Sequence, residues 1–269
     1  MPHVVKFDPV PPIRSRSGSE YQVTIEIPSL VEPKERIMQG SRKILLGTSV
    51  LAMVTAVSLG AGTASAQSSV RGDSRTVTLH AQLHELNNSG ASGTASAVVR
   101  NQKIRHIEVH AKGLSPNAPH AQHIHYGQQA LNECPTLAQD VNHDGRLTTA
   151  EGLPAYGPIV VSLTTKGGTT PASALDVTRF PVSQNGSYDY SRNNLKFTRV
   201  AGTGHSGGAG TAKQIADAVR AGEGIVVIHG VDYNHNGMYD FSAGASELDP
   251  KLPAEATDPA LCGVLEVVK

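Results

Sequence analysis

The chain has 269 residues, and its 23 Lys and Arg balance 23 Asp and Glu. Zero formal charge leaves no basic excess to neutralise phosphates, which excludes a nucleic-acid binder held by electrostatics. With 4% aromatics, no Trp, 27 Gly and 16 Pro, the composition excludes a coiled coil and suits an all-β domain of short strands and many turns.

In chain order, residues 1–37 read as an over-called start or a dispensable extension, with Met38 the natural beginning. Residues 38–66 read as a secretory signal peptide. Arg42 and Lys43 precede a charge-free apolar run that opens at Ile44, and Ala64-Ser65-Ala66 provides the small-x-small exit. The uncharged run from Ile44 to Ala66 is also long enough to span a bilayer. Its small residues and its exit favour cleavage, which leaves a secreted domain, 67–269, with no stable membrane span. That domain carries 16 Lys and Arg against 18 Asp and Glu. Its two cysteines, Cys134 and Cys262, most simply form one disulfide in an oxidising compartment; two buried thiols are the alternative.

Thr76–His84 alternates cleanly, with Val77, Leu79, Ala81 and Leu83 on one face, and reads as a strand. Thr94–Val99, Ile104–His110 and Gln122–Tyr126 follow after tight turns, as in an antiparallel meander. Pro158–Leu163 is an apolar strand, and Phe180–Val182 and Tyr188–Tyr190 are short strands around the Asn185-Gly186 turn. Gly202–Gly210 reads as a flexible linker without the context of a phosphate loop. Thr211–Ala221 is the one convincing helix, with Gly222 as its stop. Ile225–His229 is a buried strand, and Leu261–Val267 closes the domain. The expected fold is an all-β antiparallel Greek-key sandwich or barrel with two long loops and one short helix.

Two long connections carry calcium-type spacing. Asp140, Asn142, Asp144, Arg146 (through its carbonyl), Thr148 and Glu151 occupy positions 1, 3, 5, 7, 9 and 12 of an EF-hand loop, 140–151, with Gly145 at the sharp turn. Calcium prefers such an all-oxygen shell. Pro135, Gly152 and Pro154 make poor flanking helices, so the loop reads as an insertion in a β-domain. A second copy, 232–243, supplies Asp232, Asn234, Asn236, Met238 (carbonyl) and Asp240. Ala243 stands at its position 12, and Glu247 or Asp249 is the expected substitute.

On a strand, His123 and His125 share a face while Ile124 points to the core. Two imidazoles about 7 Å apart along a strand can converge on one metal. His229 is the candidate third ligand, and His120, His143 or His205 a candidate fourth. His80, His84, His106 and His110 lie on polar strand faces and read as scattered solvated histidines.

These landmarks resemble the copper–zinc superoxide dismutase fold and the related CHRD-type domains. The resemblance rests on Gly113-Leu114-Ser115-Pro116, His123-Ile-His125-Tyr-Gly127, Cys134, Val226-Val227-Ile228-His229 and Leu261-Cys262-Gly263-Val264-Leu265, in that order. It implies copper at His123, His125 and His229 and a Cys134–Cys262 disulfide. The family's bridging and zinc histidines have no counterpart, because no histidine lies between Asp144 and Gly204. Its guiding arginine is also absent before Cys262, where Asp258-Pro-Ala-Leu261 stands. The expectation is an exported, calcium-stabilised metal-binding domain with copper, without zinc and without full dismutase activity. A copper-dependent superoxide dismutase is the alternative. No catalytic residue and no protein partner is indicated.

Overall fold

The structure, a computed structural model, describes residues 75–269. The extension 1–37 and the signal segment 38–66 lie outside the described residues. In chain order the elements are strands β1 (Thr76–Glu85), β2 (Ser92–Arg100), β3 (Lys103–Lys112) and β4 (Gln122–His125), helix α1 (Thr149–Tyr156), and strands β5 (Ile159–Ser162) and β6 (Tyr188–Lys196). Helix α2 (Ala212–Ala221), β7 (Ile225–His229), α3 (Ala254–Thr257), β8 (Pro259–Val264) and β9 (Glu266–Val267) complete the domain.

The strands run β5-β4-β7-β8-β1-β2-β3-β6, every pair antiparallel, and β9 adds to β1. The result is a nearly closed all-β barrel. The chain leaves the β1–β2–β3 meander and crosses over, so β4 pairs with β7 and not with β3. The two long connections follow β4 and β7, and they leave from opposite ends of that antiparallel pair.

Alternation explains the barrel interior. Leu79, Ala81 and Leu83 from β1, Ala95, Ala97 and Val99 from β2, and Ile104, Ile107 and Val109 from β3 are all buried. Strand β7 has no alternation because both of its faces are covered. Val226 and Ile228 face the barrel core, whereas Ile225 and Val227 pack outside with Tyr156 and Cys262. Helix α2 follows its sequence signals: Thr211 and Gln214 form a capping box, Ile215, Ala218 and Val219 are buried, and Gly222 ends it at φ 98°.

Four expectations are corrected. Phe180–Val182 forms no strand, only the isolated bridge Pro119↔Val182, since Pro181 has no ladder donor. Strand β6 is longer than expected because, pairing only with β3 among the described strands, it leaves its polar residues exposed. The Gly202–Gly210 segment is closed on itself and is no simple linker. Val200 and Gly210 bridge, and the Thr203 hydroxyl donates to the Val200 carbonyl at 2.8 Å. Finally, α1 begins within the last turn of the first calcium-type loop, at Thr149, in spite of Gly152 and Pro154. Thr148 and Glu151 make a capping box at its start. Gly152 is required there: any Cβ would stand 2.5 Å from the Tyr156 ring, which folds back so that its hydroxyl donates to the Thr149 carbonyl at 2.7 Å.

Among the described residues no helix is long and apolar enough to cross a membrane. Cys134 and Cys262 are bridged, with Cα atoms 5.7 Å apart. The bridge ties the segment before α1 to β8.

Candidate metal centre

Strand β4 is buried on both faces between β5 and β7. Its period of two sends Ile124 into the barrel and His123 and His125 outward. His229 continues the outward row of Ile225 and Val227 at the end of β7, and its amide donates to the Ala121 carbonyl beside His123 at 2.8 Å. Pairing of β4 with β7 therefore brings together three imidazoles that are distant in sequence. One ligand atom from each lies within 4.8 Å of the others, and all three residues are buried.

Their hydrogen bonds leave the cluster ready for a cation. The His125 Nδ1–H donates to the Gly157 carbonyl at 2.7 Å, and the His229 Nδ1–H donates to the Thr257 carbonyl at 2.6 Å. A carbonyl only accepts, so each proton sits on Nδ1 and each Nε2 keeps a bare lone pair. Those two Nε2 atoms and both ring nitrogens of His123 are buried without any hydrogen-bond partner. Three imidazoles that each turn one such nitrogen toward the others are costly to bury unless something binds them. Burial pushes His123 well below the usual histidine range, helped by His229 and His125. Burial holds His125 down at about 3 and His229 down at about 4. All three are thus neutral, the ligand form, at ordinary pH.

The cluster floors a cavity of about 770 Å³. Its walls are mostly apolar, with Leu153, Leu175 and Leu248 at the exposed mouth. Arg199 is the one charged side chain other than histidine that lines it. Nothing in its local sequence marked Arg199, because it follows β6 and reaches the cavity only through the fold.

None of the three fourth-ligand candidates joins the cluster. His120 Nδ1 lies 2.9 Å from the His229 carbonyl, and its Nε2 lies 3.0 Å from the Ser115 carbonyl, so it braces the backbone that carries His229. His143 and His205 are exposed and outside the cluster. The strand-face histidines bond locally instead: His80 to Ser96, His106 to Asn193 and Glu108, and His110 to Asp189.

In the first calcium-type loop, Asp140 Oδ2 accepts the Gly145 amide at 2.8 Å. Asn142 accepts the Asp144 amide and Asp144 accepts the Arg146 amide. Glu151 accepts the amides of Val141 and Thr148. Asp140 is 5% exposed, and its Oδ1 has no partner. A buried carboxylate oxygen with no donor is the position-1 ligand of such a loop left unsatisfied by protein. Asn87, from the β1–β2 turn, accepts the Leu147 amide at 2.7 Å and pins the loop to the barrel.

In the second loop, Asp232 and Asp240 flank Asn234 and Asn236 with the same amide pattern. The expected substitutes for its position 12 lie elsewhere. Glu247 accepts the Ala150 amide at the start of α1, and Asp249 accepts the Lys251 amide in its own turn. The two loops, far apart in sequence, are neighbours. They share the walls of one cavity of about 740 Å³, and Arg146 stacks 5.8 Å over the Tyr233 ring. Buried Asp258 joins them, pairing with Arg146 at 2.8 Å and accepting the Tyr233 hydroxyl at 3.0 Å.

No protein-family model matches the chain, and no curated protein matches it.

The neutral histidines predict a pH effect. Unfolded histidine titrates near 6.5, so below that pH the unfolded state binds more protons than the native state. The His229 contribution to the stability of the metal-free protein is therefore full above about 6.5 and falls as pH drops toward about 4. Asp258, pushed up to about 7 by burial against the pull of Arg146, acts with the opposite sign. The readout is thus a difference. Denaturant midpoints of the parent and of His229→Asn should converge from about pH 7 down to about pH 4.5. A pH-independent gap would mean that His229 is not buried neutral.

Proposed function

We propose that this chain is an exported metal-binding β-domain, similar to the superoxide dismutase and CHRD-type scaffold, with copper at His123, His125 and His229 and calcium in the connecting loops. The three buried imidazoles, each with an unpartnered ring nitrogen and with one ligand atom apiece within 4.8 Å of the others, carry this reading. Neutral imidazoles suit Cu(II), which heads the divalent affinity order. Bound copper would supply a redox couple and a Lewis-acidic position facing the cavity. The chain's own part is to fix that site. Gly157 and Thr257 hold two tautomers, His120 braces the His229 backbone, and the barrel wall keeps water from behind the rings. Export is supported by the signal-type segment and by the disulfide.

Calcium holds the shell around this centre. Asp140, Asn142, Asp144, the Arg146 carbonyl, Thr148 and Glu151 supply oxygens only, and the orphaned Asp140 Oδ1 supports a cation among them. The loop leads into α1, and α1 ends at Gly157, the acceptor of His125. Filling the loop therefore steadies a copper ligand, a task that zinc performs in the family the chain resembles. A mostly apolar cavity with Arg199 as its only fixed cation gives weak electrostatic guidance to an anion. Slow or absent dismutation is the consequence.

The alternative, a copper-dependent superoxide dismutase, is favoured by the cluster facing an accessible cavity. Metal analysis of the purified protein, followed by superoxide consumption, separates the two. One copper per chain with a slow rate supports the binding module. A rate near the diffusion limit selects the enzyme, and no copper uptake removes both. For calcium, the melting temperature should rise on adding the ion, by about 4 kcal/mol of stability at a thousandfold excess over Kd. Glu151→Gln should remove most of that rise. Equal melting temperatures in calcium and in chelator would refute it.

A further inference from the structure

We infer that Glu255, from α3, is the missing closing ligand of the second calcium-type loop, so that the domain holds two adjacent calcium ions. The inference extends the calcium reading of the first loop and rests on it.

The two loops share the backbone contacts that shape the turn, although Asp232 accepts through both of its oxygens where Asp140 uses one. Position 1 accepts the amide of position 6 in both: Asp140 from Gly145 at 2.8 Å, and Asp232 from Gly237 at 2.7 Å. Position 4 is a left-handed histidine in both, His143 at φ 58° and His235 at φ 56°, and position 6 is a left-handed glycine. In the first loop Glu151 accepts the amides of position 2 (Val141, 3.2 Å) and position 9 (Thr148, 2.9 Å). In the second loop Glu255 accepts the amides of position 2 (Tyr233, 3.1 Å) and position 9 (Asp240, 2.7 Å). One residue comes from the loop's own sequence and the other from a helix beyond its end, yet they grip the same two backbone groups.

A separate observation points to the cation. Glu255 is 0% exposed. Among the described residues no Lys, Arg or His pairs with it, with Asp232 or with Asp240. Arg146, the cation between the loops, is committed to Asp258 and Asp144. The Ser242 hydroxyl also donates to Glu255, at 2.9 Å, but hydrogen bonds supply no counter-charge, and a fully buried carboxylate is further stabilised by an adjacent positive ion. The oxygens available are those of Asp232, Asn234, Asn236, the Met238 carbonyl, Asp240 and Glu255, an all-oxygen set of the hard-cation type. It holds three carboxylates, as many as Asp140, Asp144 and Glu151 bring to the first loop.

Helix α3 also carries Thr257, whose carbonyl holds His229. The second ion thereby fixes His229 as the first fixes His125. Each calcium secures the orienting acceptor of one copper ligand.

Calcium titration calorimetry on the disulfide-intact protein tests this, with calcium chloride as the probe. The parent should take up two ions. Glu255→Gln should weaken one site by about 100-fold or more and leave the other unchanged. Asp240→Asn, at a half-buried loop position that the core does not need, should weaken the same site. Glu151→Gln should weaken the other. Retained uptake at the site a variant does not touch, with an unchanged circular dichroism spectrum, certifies that it is folded. If Glu255→Gln fails to fold, Asp240→Asn decides alone. A parent that binds one ion, lost in Glu151→Gln and kept in Glu255→Gln and Asp240→Asn, overturns the inference and leaves the first site standing. A parent that binds no calcium overturns both.

Discussion

Replacing His123 and His229 together by alanine should lower Cu(II) affinity by well over 100-fold. Loss of an outer-shell partner alone typically costs 10–100-fold, and this variant removes two of three inner ligands. The third, His125, cannot compensate, because its Nδ1 is held by Gly157 and only its Nε2 remains. The folded state should survive, since the change also removes buried nitrogens that have no partner in the metal-free protein. The measurement is Cu(II) titration of calcium-loaded parent and variant, followed by electron paramagnetic resonance. Parent spectra should show nitrogen coordination that the variant lacks. Equal binding by the two proteins would place the copper on the exposed strand histidines, His80, His84 and His110, and would sink the three-histidine centre. The same titration in chelator should give weaker binding to the parent, because both carbonyls that fix the tautomers belong to segments the calcium loops hold.

Reducing the Cys134–Cys262 bridge should cost more stability than any other single change considered. The cysteines are 128 residues apart in sequence. Closing a loop of that size removes unfolded-state entropy worth about 5 kcal/mol. For a domain of this size that amounts to a fall in melting temperature of about 10–20 °C. Cys262 is buried in β8 beside Val227, while Cys134 is half-buried in the segment that leads to the first calcium loop. The bridge thus holds the 127–157 segment, through its Tyr156, over Ile225 and Val227, and that segment carries Gly157. Copper affinity should drop with stability. Calorimetry of the parent and of Cys134→Ala/Cys262→Ala, with calcium present, checks both. A shift of only a few degrees would mean that packing of Tyr156 and Leu147 already holds the segment without the bridge.

Local signals were legible because they act over a few residues. A period of two placed β1, and the His-x-His spacing put two imidazoles on one face of β4. Thr211, Gln214 and Gly222 bounded α2 by cap chemistry that needs no partner. The spacing Asp140, Asn142, Asp144, Gly145, Glu151 is a loop motif complete in itself. With two cysteines in the exported part, the disulfide had a single pairing open to it. Readings that failed were those in which a neighbour overrode a local rule. Gly152 and Pro154 argue against a helix until Tyr156 needs the space that only glycine leaves.

What the tertiary structure alone decided is which distant residues meet. His229 joins His123 and His125 because β7 pairs with β4, a choice made by barrel closure and not by any residue near His229. Arg199 reaches the cavity floored by the three histidines, and the two calcium-type loops become neighbours joined through Asp258, for the same reason. Glu255 is the sharpest case. Sequence spacing looks for the closing carboxylate at position 12 and finds Ala243, because a linear motif assumes that the chain continues as a helix. Here the chain turns away after Asp240, and α3 returns the carboxylate from beyond the loop. A buried charge must be compensated wherever the chain delivers it, and only the folded path reveals that place.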